Sequence, residues 1–569
     1  MGLGRHLARL PVAVLGFAVV LVLTWPLISR RGYPLSRDMV ITPNLPLSAE
    51  SLGLSSSAPR AVPLDAAVAV LDSLVGGELL ARVAVVGGLV AVVAAAGRAS
   101  ASYLVPAQAF CVVFAVWNPF VVERLALGQW ALLLGYAGVW GCVATALGPG
   151  PHARGHKVGP WLALGALTPT GSLLTGCAAV ILFWRSPDRG LVRALAGLAQ
   201  LPWVVPAFVG GASVLSDPAG VSAFSAREER PGGIVWTLVG LGGTWDRLSV
   251  PLSRSGWLGH ATSCLVFAAL VAMLLVLVRE RRRPHGWAAL TVLAAAGLAL
   301  ASISSFSWGR AFAEMLVVQV PGGGLLRDSQ KWLAWFVVPA VLATTKTVDL
   351  LLSWVRQKAP VLLMTAVSVS IALPVILLPD AASVVWRTVD PVEYPTDFAH
   401  VDAALRADPA DVVSLPWRAY RQLGWGSGRP TYDPASRWFD VRVVTSSDLS
   451  VDQTTIAGED LRAAKVAEVL ARDVSSWDEG LSGQGVGYVL MYVDDPAAVH
   501  DLPHSDLVYR GESLALWRLT SDMRPVDSPA AVVVWGLSIL DVAVGLTLLA
   551  GGGRTVLLRP RRGTTTQSS

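Results

Sequence analysis

Several ionisable side chains stand beside long apolar runs, all on one side of the membrane that those runs imply. They are Arg37, Asp38, Arg60, Asp65, Glu123, Arg124, Arg310, Arg327, Asp328 and Lys331. Charges held near hydrocarbon cost free energy and often mark a site. A carboxylate ringed by guanidinium and ammonium groups has a definite chemistry. The carboxylate takes a proton from an acceptor hydroxyl as general base. The cations hold a departing phosphate, Arg as a two-pronged fork. Asp38 is the leading carboxylate, in a Pro-rich, otherwise apolar loop that follows the first apolar run. The plainer reading of each charge is an anchor at a helix end, paired with a neighbour. For Asp38 that neighbour is Arg37 or Arg31, or the residue simply serves a turn.

Other segments bear on the same chemistry. Asn118-Pro119 ends an apolar run, because Pro restricts the residue before it. Glu123 and Arg124 then begin or face a short helix. Gly322 to Gly324 is a flexible turn, with no Lys-Ser/Thr after it to make a phosphate loop. Trp417, Trp425 and Trp438 offer flat faces on which a sugar can stack, although most of the 22 Trp residues fit an interfacial belt. Walker, zinc-protease, Gly-x-Ser-x-Gly and dinucleotide motifs are missing, which disfavours ATP-driven transport and soluble-type hydrolysis. The four cysteines, Cys111, Cys142, Cys177 and Cys264, have neither disulfide-framework nor metal-ligand spacing.

The elements that position these groups follow from composition. The 569 residues are 53% hydrophobic and 15% charged, with mean hydropathy +0.55. A soluble domain averages about 45–50% apolar and about 25% charged, so the chain reads as a polytopic membrane protein. Residues 379–527 carry 13 Lys+Arg against 24 Asp+Glu, a net −11, which leaves the remainder at +16. That surplus sits in short loops, where topology rather than nucleic-acid binding accounts for it. Scarce Lys and abundant Ala, Val and Gly point to a GC-rich bacterial source.

Apolar runs at 10–28, 80–97, 102–117, 130–147, 160–168, 171–184, 190–211, 257–278, 287–304, 332–354, 359–378 and 528–550 predict about twelve spans. The fifth and sixth are short and turn at Thr168-Pro169-Thr170-Gly171. Alternate loops are Arg/Lys-dominated, as at Arg281-Arg282-Arg283, which sets both termini in the cytoplasm and 379–527 outside. Three parts follow: a bundle, 1–378, with a long first outer loop, 29–79; an acidic α/β domain, 379–527; and a last span with a basic tail, 528–569. Within the loop, Leu64, Val68, Leu71 and Val75 predict a helix lying in the interface, its acidic positions Asp65 and Asp72 nearby. In the acidic domain, 397–406 and 460–472 have helical patterning. Segments 412–415, 441–445, 486–492 and 514–519 read as strands.

The whole pattern resembles the polytopic GT-C glycosyltransferases of bacterial envelopes. The features are a first span with its N-terminus inside, a long first loop with Asp38, an interfacial helix, many spans and an outer α/β domain. Asp38-Met-Val with Pro59-Arg-Ala-Val-Pro63, Asn118-Pro-Phe-Val-Val-Glu-Arg124 with Gly128-Gln-Trp130, and Arg327-Asp-Ser-Gln-Lys-Trp332 look like segments of actinobacterial membrane proteins near that class. The resemblance implies transfer of a mannosyl or arabinofuranosyl group from a polyprenyl-phosphate donor to an envelope glycan or glycolipid at the cytoplasmic membrane. The first-loop carboxylate would be the base, here Asp38. Arg37, Arg60, Arg124, Arg327 and Lys331 would hold the donor phosphate, with Glu123, Asp328 and Arg310 in support. Trp417 and Trp438 would stack on acceptor glycan. Many members pair two acids in the loop; Asp38 has no acidic neighbour, so a divalent metal stays open. A lipid or glycan flippase and a non-catalytic envelope assembly protein are the competing readings.

Overall fold

A computed structural model describes residues 10–55, 61–148, 155–210, 215–279, 286–451, 454–524 and 529–550. Among these, eight helices are long and apolar enough to cross a membrane: Gly77–Ala99, Val105–Ala126, Trp130–Leu147, Trp257–Arg279, Trp287–Ser305, Ser329–Lys358, Pro360–Leu377 and Ala531–Ala550. Arg189–Leu198 and Leu201–Val209 make a ninth if taken as one span bent by 41°. These helices fit a multi-pass membrane protein.

The twelve expected spans are therefore not all found as full-length helices, and the reasons are local. The first apolar run breaks after Leu23, and a separate turn, Trp25–Ser29, starts with Pro26 near its N-terminus. The run at 160–168 forms only the seven-residue helix Gly159–Gly165, about 10 Å long. Thr168 then caps Pro169–Leu182 by accepting from the Gly171 amide at 3.1 Å, and the chain folds back. That return packs on glycines. A Cβ on Gly135 of Trp130–Leu147 would stand 2.7 Å from Gly171 Cα, so only small residues allow this approach. Val105–Ala126 and Trp130–Leu147 lie in the centre of the bundle, whereas Pro360–Leu377 and Ala531–Ala550 are mostly bare apolar surface at its edge.

Helix Leu64–Val75 forms, and it leaves an apolar face bare. Leu64, Ala69 and Asp72 face inward, and Val70, Leu71, Leu74 and Val75 are exposed. On its buried side the Asp72 carboxylate accepts from the Leu45 amide at 2.8 Å. Asp65 instead pairs with Arg437 of the C-terminal domain.

That domain is a five-stranded mixed sheet, in the order Ser505–Arg510, Leu514–Leu519, Val486–Tyr492, Asp411–Leu415, Val443–Val444. The last three are parallel neighbours; the first two join antiparallel. Period-2 alternation builds two cores. Val412, Tyr488, Leu490 and Leu516 face one side; Val413, Val489, Met491 and Trp517 face the other. Asp397–Ala407 and Leu461–Leu470 are the helices read from the sequence. Ser505–Arg510 was not foreseen, because it lies at an edge and shows no buried face.

The N-terminal loop is built into this domain. Tyr33–Ser36 pairs antiparallel with Met39–Val40 on one side and with Pro391–Val392 on the other. Leu35 and Val40 lie in the same core as Tyr488 and Leu516. Residues far apart in sequence thus form one hydrophobic unit over the end of the bundle.

Candidate functional site

The register of the first-loop hairpin, Leu35 with Val40 and Ser36 with Met39, leaves Arg37-Asp38 as a two-residue turn. Such turns require a positive φ at the first central residue or at both, normally supplied by Gly, Asn or Asp. Arg37 has φ +56°, which costs a non-glycine residue about 1–2 kcal/mol. The surroundings hold it there. The Arg37 amide donates to the Pro430 carbonyl at 3.0 Å, and the Arg37 carbonyl accepts from the Tyr432 amide at 3.0 Å. The Asp38 amide donates to the Leu127 carbonyl at 3.2 Å, and the Arg37 guanidinium pairs with Asp246 at 3.2 Å. Backbone strain so over-determined is a mark of functional positions.

Gly128 makes the seat for the turn. It has φ +78°, and a Cβ there would lie 2.9 Å from the Asp38 amide and closer still to the Met39 amide. The hairpin therefore rests directly on the backbone that links Pro119–Ala126 to Trp130–Leu147.

Asp38 is exposed at the tip but walled by protein. Gln129 Nε2 donates to Asp38 Oδ2 at 3.1 Å, and the Tyr420 hydroxyl donates to Oδ1. The surrounding protein displaces water and pushes the Asp38 carboxyl above its ordinary value. The Tyr420 and Gln129 hydrogen bonds oppose that, and Asp328 adds to it.

The cations approach from the bundle. Asn118 caps the short helix Pro119–Ala126 by accepting from the Val121 amide at 3.1 Å. This fixes Arg124, which is fully buried. Arg124 grips Asp328 with both terminal nitrogens, at 2.7 and 3.2 Å. It also donates to Gln129 Oε1 at 2.5 Å and to Gln330. The Gln129 amide thus joins Arg124 to Asp38. Lys331 Nζ, half-buried, lies 3.5 Å from Thr170 Oγ1 and close enough to Asp328 to act on it. Burial alone would raise Asp328, but the charge and hydrogen bonds of Arg124, with Lys331, hold it below the usual carboxylate range. Two neighbouring carboxyls are thus driven in opposite directions, the pattern of a proton acceptor beside a fixed counter-ion.

Asp38, Arg124, Asp328 and Lys331 are therefore brought together, and other expected residues are not. Arg327 turns to Glu459 at 3.1 Å and lies over the Phe224 ring at 5.3 Å. Arg310 Nε donates to the Ser304 carbonyl at 3.2 Å. Glu123 points behind the helix, where its carboxylate accepts from the Thr244 amide at 3.1 Å. There it meets Glu229 and Arg254, themselves paired at 2.9 Å, and so braces the element that carries Arg124. Arg60 lies outside the described residues. The Trp438 ring packs 4.8 Å from Tyr394 and 5.0 Å from Phe398. Trp417 packs against the core on the other face of the sheet. Both rings are half-buried, each with one side against the core of the domain.

Gln129, Gln330 and Tyr420 escaped the sequence reading as site residues. The two amides stand inside segments already singled out, next to Trp130 and between Asp328 and Lys331; Tyr420 had no signal at all. A divalent metal does not fit this donor set. Arg124 occupies both oxygens of Asp328, Gln129 and Tyr420 occupy those of Asp38, and no group of three His, Cys, Asp or Glu gathers among the described residues.

Beside the hairpin, Val40, Val68, Leu80, Ala84 and Trp130 line a narrow apolar cavity with Arg437 at its polar end. It runs along Gly77–Ala99 toward the underside of the turn without including Asp38.

No family model matches the chain, and no curated protein does. Solved structures do. The chain is similar to the arabinofuranosyltransferase AftD from mycobacteria, with TM-score 0.57 and 16% identity over 92% of this chain and 40% of that one. Two structures of a mutant of that protein give TM-scores of 0.54 and 0.52 at 14% identity, covering 92% and 90% of this chain and 42% of theirs. This chain spans about two-fifths of the length of those proteins. What they share with it is the fold.

Proposed function

We propose that the protein is a GT-C class membrane glycosyltransferase that moves a sugar from a polyprenyl-phosphate donor to a glycan or glycolipid acceptor. The reaction takes place on the outer face of the cytoplasmic membrane, with the α/β domain outside and both termini inside. The observation that carries this reading is the convergence of Asp38, held in a strained turn, with Arg124, Asp328 and Lys331 at the domain-bearing end of the bundle. The arabinofuranosyl group, after which the similar protein is named, is the favoured sugar over mannosyl.

In the proposed reaction Asp38 takes the proton of the acceptor hydroxyl. The acceptor oxygen forms a bond to the anomeric carbon, and the bond from that carbon to the phosphate oxygen breaks. Its electron pair leaves with the lipid phosphate, and the anomeric configuration inverts. The leaving phosphate is assigned to Lys331, a reading supported by its place beside Asp328. Arg124 is occupied by Asp328, Gln129 and Gln330, so its role is to fix the counter-ion and, through Gln129, Asp38.

The test is Asp38→Asn, assayed with membranes and a prenyl-phosphate-linked pentose. Loss of a general base lowers kcat by about 10²–10⁴-fold, with expression and melting temperature unchanged. Wild-type turnover in that variant would remove Asp38 from the mechanism.

A further inference from the structure

At the end of the bundle away from the α/β domain, helices Leu10–Leu23, Gly77–Ala99 and Val105–Val116 leave a crevice of about 260 Å³. That volume stands just below the roughly 300–1,000 Å³ typical of whole small-molecule sites. Val12, Val93 and Val112 form its inner wall, and Ala13 and Ala94, both exposed, stand at its mouth. The crevice thus opens sideways, toward the hydrocarbon that surrounds a membrane bundle. Hydrocarbon chains fill such an opening, because water there would meet apolar walls on every side.

The polar members of the lining are Arg98 and Gln108. The Gln108 amide nitrogen is committed to the Tyr103 carbonyl at 2.8 Å. Arg98 occupies the last turn of Gly77–Ala99 and is exposed. The carboxylates of this end of the bundle, as far as described, are engaged elsewhere: Asp349 with Lys346 at 3.2 Å, and Asp188 with the Gly155 amide at 2.8 Å. A cation at the headgroup level, above an apolar slot one chain wide, has the chemistry of an anionic-lipid site.

We propose that this crevice seats an anionic phospholipid of the leaflet opposite the α/β domain, one acyl chain between Val12, Val93 and Val112 and its phosphate on Arg98. The site is independent of sugar transfer, since Asp38 lies at the other end of the same helices. Occupancy adds to the packing that already joins these three helices.

The full-length protein in neutral detergent, titrated with phosphatidylglycerol or phosphatidylcholine, tests this by native mass spectrometry and thermal unfolding. Phosphatidylglycerol is expected to raise the wild-type melting temperature more than phosphatidylcholine and to stay bound as a discrete lipid. Arg98→Gln should weaken its retention about fivefold, the equivalent of roughly 1 kcal/mol for one basic residue at an anionic lipid, with the lipid-free melting temperature unchanged. Ala94→Trp, which blocks the mouth and leaves the charge, should lose the bound lipid as well. Three results would overturn the proposal: full retention by Arg98→Gln, an equal loss of stability in both lipids, which makes Arg98 a helix cap at Gly148, or the same stabilisation by chainless glycerol phosphate.

Discussion

Replacing Gly128 by Ala adds a single methyl group at the seat of the Arg37-Asp38 turn. Its Cβ would lie 2.9 Å from both the Asp38 amide and the Ser36 carbonyl, and nearer the Met39 amide. These are backbone atoms of a paired hairpin, so no rotamer change relieves the contact. The residue must also hold φ +78°, which costs an L-residue about 1–2 kcal/mol. Overpacking adds about 1–3 kcal/mol, for a total of roughly 2–5 kcal/mol. In a domain of this size that lowers the melting temperature by on the order of 10 °C. The hairpin relieves the clash by lifting, and Asp38 lifts with it. A displacement of about 1 Å at the reacting group costs on the order of 10²-fold in rate. Thermal unfolding in detergent and kcat for sugar transfer are the readouts. Gly87→Ala is the control: Gly87 has open space where a Cβ would go and sits inside Gly77–Ala99, so Ala there is expected to stabilise by about 0.4–1 kcal/mol. A Gly128→Ala protein that melts within a degree of wild type and turns over normally would refute the seating of the hairpin.

Three further outcomes are expected. Tyr420→Phe removes a hydrogen bond that favours the ionised form of Asp38, so its pKa rises further; the acid limb of kcat/KM, already above the ordinary carboxylate range, should move to higher pH, and an unmoved limb would separate Tyr420 from the base. Lys331→Met should raise the KM for the lipid-phosphate donor about 10–100-fold, the worth of one charged hydrogen bond, whereas an unchanged KM would place the phosphate elsewhere. Asp433→Asn leaves the buried Arg421 unpaired, where Asp433 now accepts at 2.7 Å, and weakens the hydrogen bond from Tyr492 at 2.8 Å. The cost is about 3–5 kcal/mol, to be read as increased protease sensitivity of the α/β domain.

What the sequence made legible was what local periodicity encodes. The apolar run of Gly77–Ala99 and the short, nearly continuous apolar runs of Val486–Tyr492 and Leu514–Leu519 specify their elements without outside help. Asp38, Arg124, Asp328 and Lys331 were visible as charges out of place among apolar neighbours. Their company was not. Nothing around Arg37 announces a hairpin, since Gly and Asn are missing and Pro34 stands inside a strand; the conformation comes from Pro430, Tyr432 and Leu127. Arg327 and Lys331 looked equivalent, yet a tight turn sends one to Glu459 and leaves the other beside Asp328. Gln129 was invisible as a bridge because a neutral amide leaves no trace in charge patterning. Among the described residues, twelve expected spans became eight or nine full-length ones where Pro26, Thr168 and Pro169 interrupt apolar runs without changing their hydropathy.

The pairing of the first-loop hairpin with residues 391–392 also sets a clock. Arg30 and Asp390, which lock that corner at 2.7 Å, are 360 residues apart, and Tyr420 follows Asp38 by 382. At about 5–20 residues per second, a ribosome takes roughly 20–75 s to deliver the partners after the hairpin emerges. Throughout that interval Arg37 has nothing to hold its positive φ, and Leu35 and Val40 have no core to enter. The nascent protein thus threads most of its helices into the membrane with Asp38 unseated. Synthesis has to pass into the α/β domain before the carboxylate, its Gln129 bridge and Tyr420 are assembled.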